Sequence, residues 1–171
     1  MMTQVYLGVG SNVDPENYIT VALEALSDSF GDLSLSSVYE SESIGFKGDN
    51  FFNMVVGVNT RLPVEKLSEL LKSVEDANGR DRNSSKYSGR TLDIDILLYG
   101  DLSGFYGGVE LPRGEITFNA FVLRPLAELA PTNRHPESGL SYEQMWRNYN
   151  CSQQLWPVDF IWRERQISFA S

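Results

Sequence analysis

The chain has 171 residues, 42% hydrophobic and 12% aromatic, with a formal net charge of -9. That length and composition suit one domain with a real core (1–171, with a core over about 4–131 and an extension over about 132–171) and leave little room for two. The acidic balance argues against a general nucleic-acid binder, which needs a basic footprint, and no apolar run nears membrane-spanning length. The one cysteine, Cys151, rules out an internal disulfide framework and fits a reducing cytosol. The amino-terminal residues show no basic region followed by an apolar stretch, so a cytoplasmic protein without a signal peptide is expected.

Val5, Leu7 and Val9 alternate with Tyr6 and Gly8, which predicts a strand ending in Gly10-Ser11-Asn12. Asp14 then caps a helix with Pro15 at its first position, and Ile19, Ala22, Leu23 and Leu26 form its buried stripe up to Gly31. Leu33, Leu35, Ser37 and Tyr39 suggest a second strand, followed by a polar loop from Glu40 to about Asn50. Phe52 to Asn59 reads as a third strand. Pro63 opens a second helix with Leu67, Leu70, Leu71 and Val74 on one face, ended by Gly79. A fourth strand runs through Asp93-Ile94-Asp95-Ile96. Strand, helix, strand, strand, helix, strand is the order of an α+β ferredoxin-like βαββαβ core. It implies an antiparallel sheet with both helices on one face and the other face in need of a cover or a ligand. The last third of the chain must supply that cover. It holds a glycine-rich turn or hairpin from Gly100 to Gly108 and a short helix near Val122 to Ala130. Its tail contains Trp156, Phe160, Ile161 and Trp162, and the pattern leaves open an added strand, a docked arm or an oligomer contact.

The fourth strand carries the chemistry. Leu92, Ile94, Ile96 and Leu98 face one way, toward a core, while Thr91, Asp93 and Asp95 face the other. Carboxylates two residues apart on a strand lie roughly 7 Å apart. Such a pair repels, and a hard divalent cation relieves the conflict. A merely solvated acidic face is the alternative reading of this segment alone. The preceding loop, 78–90, has no aliphatic anchor, yet it holds Arg80, Arg82, Lys86 and Arg90, four of the chain's 14 basic residues. Forked arginines beside an aspartate pair suit a polyphosphate with its metal. The alternative is a surface loop whose arginines neutralise neighbouring carboxylates.

Several short pieces recur in one family's order. They are Gly10-Ser11-Asn12, Tyr39, Phe52-Asn53, Glu75 with Gly79-Arg80-x-Arg82, the block Arg90-Thr91-Leu92-Asp93-Ile94-Asp95-Ile96-Leu97-Leu98-Tyr99-Gly100, Leu111-Pro112, and Phe121-Val122-Leu123-x-Pro125-Leu126. On these the chain resembles 6-hydroxymethyl-7,8-dihydropterin pyrophosphokinases of the folate pathway. The resemblance implies a ferredoxin-like core and transfer of pyrophosphate from ATP, the co-substrate, to the hydroxymethyl group of a reduced pterin, with release of AMP. It implies two magnesium ions held by Asp93 and Asp95. It assigns catalytic roles to Arg80, Arg90 and Asp95. It assigns pterin contacts to Ser41, Ile44, Gly45, Phe51, Asn53, Tyr87, Asp95 and Phe121, and ATP contacts to Lys72, Glu75, Arg82, Lys86 and Arg113. The expected partners are these small molecules, with no nucleic acid and no membrane, and a monomer is expected over an oligomer.

The chain also departs from that pattern. Arg113 and Gly114 stand where the family has His and an aromatic residue or proline, and Asn119 stands where it has Arg. Lys72 replaces a Gln, Tyr87 a Trp, Gly89 a Pro, and Ser41-Glu42-Ser43 replaces Thr-Pro-Pro. The pterin and metal residues are kept, and the ATP side and loops are altered. An active but divergent enzyme is therefore expected. The alternatives are a degenerate paralogue that binds a pterin or related heterocycle without turnover, a metal-dependent kinase for another small alcohol, and an RNA-binding module of the same element order, which the charge opposes. No G-x-x-x-x-G-K-[ST] loop is present, which excludes a phosphate-loop kinase by motif.

Overall fold

Val5, Leu7 and Val9 are at most 1% exposed, and the strand that carries them is flanked on both sides. The computed structural model describes residues 2–42, 49–79, 91–150 and 152–171. In chain order come β1 (Thr3–Ser11), α1 (Pro15–Phe30), β2 (Ser34–Leu35), β3 (Val38–Ser41), β4 (Phe51–Thr60), α2 (Val64–Ala77) and β5 (Asp93–Tyr99). After them come β6 (Gly104–Tyr106), β7 (Val109–Leu111), a single 3₁₀ turn (Gly114–Thr117), α3 (Ala120–Leu129), α4 (Tyr142–Arg147), β8 (Leu155–Val158), β9 (Phe160–Trp162) and β10 (Arg165–Ser168). The main sheet runs β5-β1-β4-β3-β8, with β2 also beside β4, and every pairing is antiparallel. This is the α+β ferredoxin-like arrangement, widened by one strand.

The two faces bury different cores. On the first, Ile19, Ala22, Leu23 and Leu26 of α1 and Val64, Leu67 and Leu71 of α2 pack on Val5, Leu7, Val9, Met54, Val56, Val58, Ile94 and Ile96. These are the 3.6-residue and 2-residue periods meeting face to face. On the second, Val122, Leu123 and Leu126 of α3 and Tyr142 of α4 pack on Val55, Leu97 and Leu98. The cover demanded by the second face is thus α3 with α4. α4 was not expected from periodicity, because six residues give no stripe. Its capping box is complete: Gln144 N donates to Ser141 Oγ at 3.2 Å and Ser141 N donates to Gln144 Oε1 at 3.0 Å.

Three expectations need correction. Leu98 does not share a face with Ile94 and Ile96. The pairing Leu7 with Ile96 jumps to Tyr6 with Leu98, so Leu97 is the extra residue of a bulge, and both Leu97 and Leu98 reach the second core. The second strand is broken at Ser36 and Ser37. Ser36 Oγ accepts from Val55 N at 2.9 Å, and Ser37 N and Oγ donate to Glu128 Oε2 at 3.0 and 2.9 Å, so side chains bridge the gap in the ladder. Asp14 is the cap position of α1, but its side chain makes no cap bond. Its backbone carbonyl accepts from Asn17 N and Tyr18 N, both at 3.1 Å, in a left-handed conformation at φ 47.

The glycine-rich stretch is a hairpin, β6 with β7, turned by Gly107 and Gly108 at φ +59 and +82, the mirror-image turn that matches strand twist. The tail is both an added strand and a docked arm. β8 pairs along β3, with Pro157 opposite Tyr39. The β9–β10 hairpin is fastened to the sheet by Ser168 Oγ, which accepts from Val38 N at 2.9 Å. It is fastened to α1 by Trp162 Nε1, which donates to Glu24 Oε2 at 2.8 Å, and by the Arg163–Glu24 ion pair. Among the described residues no helix is long and apolar enough to cross a membrane.

The hydrogen bond from Arg163 holds the Glu24 carboxyl below its ordinary 4.5. A lowered carboxylate contributes attachment fully above the unfolded value and loses it as pH falls through the folded one. Glu24→Ala is therefore expected to speed amide exchange in Phe160–Ser168 at neutral pH, while wild type shows that loss only below pH 4.5 and the main sheet is unaffected in both. Exchange by mass spectrometry at two pH values checks this.

Candidate active site

Beyond its contact with α3, the second face carries chemistry instead of core. Asp93 and Asp95 alternate with Ile94 and Ile96, Gly8 and Gly10 with Leu7 and Val9, and Phe51 and Asn53 with Phe52 and Met54, so all six share this face. Register sets them in rows across the sheet. Asp93 lies beside Gly10, Gly10 beside Asn53, and Asn53 beside Tyr39. Asp95 lies beside Gly8, and Phe51 beside Ser41. The glycines make a floor without side chains between the acidic strand and Asn53. A Cβ on Gly10 would stand 2.5 Å from Asn53 Oδ1, so only glycine lets the Asn53 amide lie over β1.

Asp93 and Asp95 are half-buried. Two hard-oxygen side chains on one face of a strand fit magnesium, which takes one or two carboxylates and completes its shell with substrate oxygens and water. Among the described residues no group of three or more His, Cys, Asp and Glu converges to hold an ion without such help. The strand itself is held from below. Glu75, 5% exposed at the end of α2, accepts from Ile94 N at 2.7 Å, between the two aspartates. Asn12 Nδ2 donates to Asp49 O at 3.2 Å and ties the end of β1 to the approach to β4.

Arg113 enters beside Asp95. Arg113 N donates to Leu97 O at 2.9 Å, and the Arg113 guanidinium lies 3.8 Å from Asp95 Oδ2. Arg113 also donates from Nε to Glu115 Oε1 at 2.9 Å and pairs through Nη2 at 2.8 Å. Burial works to lower its pKa, but the Asp95, Glu115 and Glu110 carboxylates outweigh burial and hold it above its ordinary value, a fixed cation. Asn119 is buried and uncharged. It donates from Nδ2 to Glu115 Oε2 at 2.8 Å and accepts from Gln153 Nε2 at 3.1 Å.

Phe121, in the first turn of α3, lines a cleft of about 360 Å³ with Ser41, Glu42, Ala120, Ser152, Gln153, Gln154 and Leu155. The wall opposite is held by Tyr39, whose hydroxyl donates to Glu128 Oε1 at 2.7 Å, and burial and that carboxylate push its pKa up to about 12. Arg124 lies over the Tyr39 and Trp146 rings at 4.8 and 5.8 Å and donates to Leu155 O at 3.2 Å, which locks α3 to the added strand.

Of the expected site residues, the fold brings Phe51, Asn53, Asp93 and Asp95 onto one face, with Arg113 beside Asp95. Ser41 and Phe121 meet at the cleft. Glu75 lies beneath β5, and Lys72 is on the exposed side of α2. Ile44, Gly45, Arg80, Arg82, Lys86, Tyr87 and Arg90 lie outside the described residues. Reading the sequence missed Glu115, Gln153 and Glu128. Glu115 follows Arg113 by two residues, a usable signal. The other two lie far in sequence from what they hold and left none.

The sequence profile of the family described as 7,8-dihydro-6-hydroxymethylpterin-pyrophosphokinase matches residues 6–131. A 2-amino-4-hydroxy-6-hydroxymethyldihydropteridine pyrophosphokinase of Aquifex aeolicus is 38% identical over 137 residues, covering 79% of this chain and 85% of that one. The protein of the same name from Synechocystis is 30% identical over 161 residues, covering 89% and 78%. In fold, the chain is similar to a crystallised Plasmodium falciparum HPPK-DHPS protein with pteroate, at a TM-score of 0.71 and 12% identity. That match covers 98% of this chain and 48% of the other, so the chain spans about half the length of that bifunctional protein.

Glu75→Ala removes the acceptor from a buried strand N–H and is expected to cost about 1–3 kcal/mol, while Glu75→Gln keeps an acceptor and most of that stability. Urea denaturation of the two variants checks it.

Proposed function

This chain belongs to the 7,8-dihydro-6-hydroxymethylpterin-pyrophosphokinase family of ATP-dependent diphosphotransferases in folate biosynthesis, and from that premise we propose how its site works. Asp93 and Asp95 hold magnesium ions, which when bound neutralise and orient the phosphate oxygens of ATP. Asn53 hydrogen-bonds the polar edge of 6-hydroxymethyl-7,8-dihydropterin, and the Phe121 ring stacks on it, with Ser41 and Phe51 on the same side. The pterin's hydroxymethyl oxygen attacks the β-phosphorus. The bond formed joins that oxygen to Pβ, the bond broken is the one from Pβ to the oxygen bridging it to Pα, AMP leaves with that oxygen, and the hydroxyl proton passes to solvent water. Arg113 supplies a fixed cation beside Asp95. Arg80 and Arg90, assigned by resemblance, neutralise the triphosphate, and Arg82, Lys86, Lys72 and Glu75 complete the ATP side. This chemistry needs positioning and charge stabilisation more than proton transfer.

The observation that supports the reading best is the aspartate pair beside a two-glycine floor, with Asn53 across it. Uncharged Asn119, held by Glu115 and Gln153, favours a second reading, a protein that binds the pterin without turnover. The first reading makes 1–171 one pyrophosphokinase unit, a cytoplasmic monomer acting on two small molecules.

AMP formation from ATP and magnesium, measured with and without the pterin, decides between the readings. Pterin-dependent AMP is expected, and pterin binding without AMP would establish the second. Asp95→Ala is expected to abolish AMP release with circular dichroism unchanged, and surviving activity would remove the metal assignment. Gly10→Ala pushes against the free end of the Asn53 side chain and not against backbone. It is expected to weaken pterin binding about tenfold, the loss of one or two hydrogen bonds, with little change in melting temperature. Fluorescence titration with the pterin checks it.

A further inference from the structure

A chain of hydrogen bonds joins the two ends of the site. Arg113, beside Asp95, donates to one oxygen of Glu115, and Asn119 donates to the other. Gln153 Nε2 donates to Asn119 Oδ1, and Gln153 Oε1 accepts from Ala120 N at 2.7 Å. Each amide has its direction fixed by its neighbours. Ala120 N can only donate, so Gln153 must present oxygen to it and nitrogen to Asn119. A carboxylate can only accept, so Asn119 must present nitrogen to Glu115. The groups come from the turn after β7, the start of α3 and the segment before β8. Gln153 lies outside the stretch matched by the family profile, 6–131.

We infer that Glu115 and Gln153 are positioning residues for the transfer, Glu115 fixing Arg113 beside the aspartate pair and Gln153 clamping the first turn of α3 that carries Phe121. The inference rests on the functional reading above. Neither residue touches the reacting atoms. Glu115 bridges the phosphate end and the heterocycle end, and Gln153 serves the heterocycle end. Removing Gln153 therefore loosens Ala120 and Phe121 and leaves Arg113 in place, whereas removing Glu115 releases both.

Steady-state kinetics of the full chain separate these roles. Gln153→Ala is expected to raise KM for the pterin about tenfold with KM for ATP unchanged, and Gln153→Glu, which still accepts from Ala120 N, is expected to recover most of that. Glu115→Ala is expected to raise both KM values and lower kcat about tenfold. Glu115→Gln keeps an acceptor for Asn119 but loses the ion pair, so only the ATP-side defect should persist. The Glu115→Ala/Gln153→Ala double variant should lose less pterin affinity than the two single effects multiplied. Unchanged KM values with a lowered melting temperature, or strictly multiplicative effects, would overturn the inference while leaving the functional reading standing. A wild type that binds pterin without making AMP would overturn the functional reading. The clamp is then judged by pterin affinity in fluorescence titration and by amide exchange of Ala120–Leu123. Gln153→Ala must weaken the first and speed the second, and no change in either overturns it.

Discussion

The pairing register of β1 with its two neighbours is the constraint on which the site depends. Side chains on a strand alternate, so a slip of one residue would send Gly8 and Gly10 into the first core and lift Leu7 and Val9 into the cleft. Val5, Leu7 and Val9 prevent the slip, because they are buried in the core that α1 and α2 build on that face. The same hydrophobic preference that builds the core therefore delivers Asp93, Gly10, Asn53 and Tyr39 into one row. Specificity of register and geometry of the site are one property seen from two faces.

The sheet must also serve two cores of unequal size. The bulge at Leu97 lets β5 place Ile94 and Ile96 below and both Leu97 and Leu98 above, beneath α3. Asp93 and Asp95 precede the bulge and keep strict alternation. Glu75 holds this part of the strand through Ile94 N. The acidic pair thus stands on the regular part of the strand, braced by a helix end, while the irregular part is used for packing. Polar groups are placed where a rigid ladder positions them, and the adaptable stretch is given to side chains that need only volume.

What could be read from the sequence followed from periodicity and local signals. The alternation of Val5 to Val9 and the stripes of α1 and α2 are short-range patterns, and their order implied the sheet. The mirror-image turn at Gly107 and Gly108 was likewise local. Features set by partners distant in sequence could not be read. The break at Ser36 and Ser37 depends on Val55 and Glu128, the Leu97 bulge on the volume under α3, and the place of the tail on Glu24 and Val38. The candidate site divides the same way. The Asp93–Asp95 pair announced itself by spacing. Gly10 read as the end of a strand, and its role as a floor emerged only with Asn53 lying over it. Gln153, in a stretch without periodicity, had no signal of its own.

β8 adds an outer strand whose third residue is Pro157, directly across from Tyr39. Proline has no N–H to offer a further strand, and its ring disfavours continued pairing. The sheet therefore widens by one strand and then stops. An antiparallel sheet with an open margin is a template for self-association, and proline in the outermost strand is one of the ways such margins are blunted. The segment that lines the cleft with Gln153 and Leu155 thus also ends the sheet, so the margin of the sheet and the shape of the cleft are set by the same few residues.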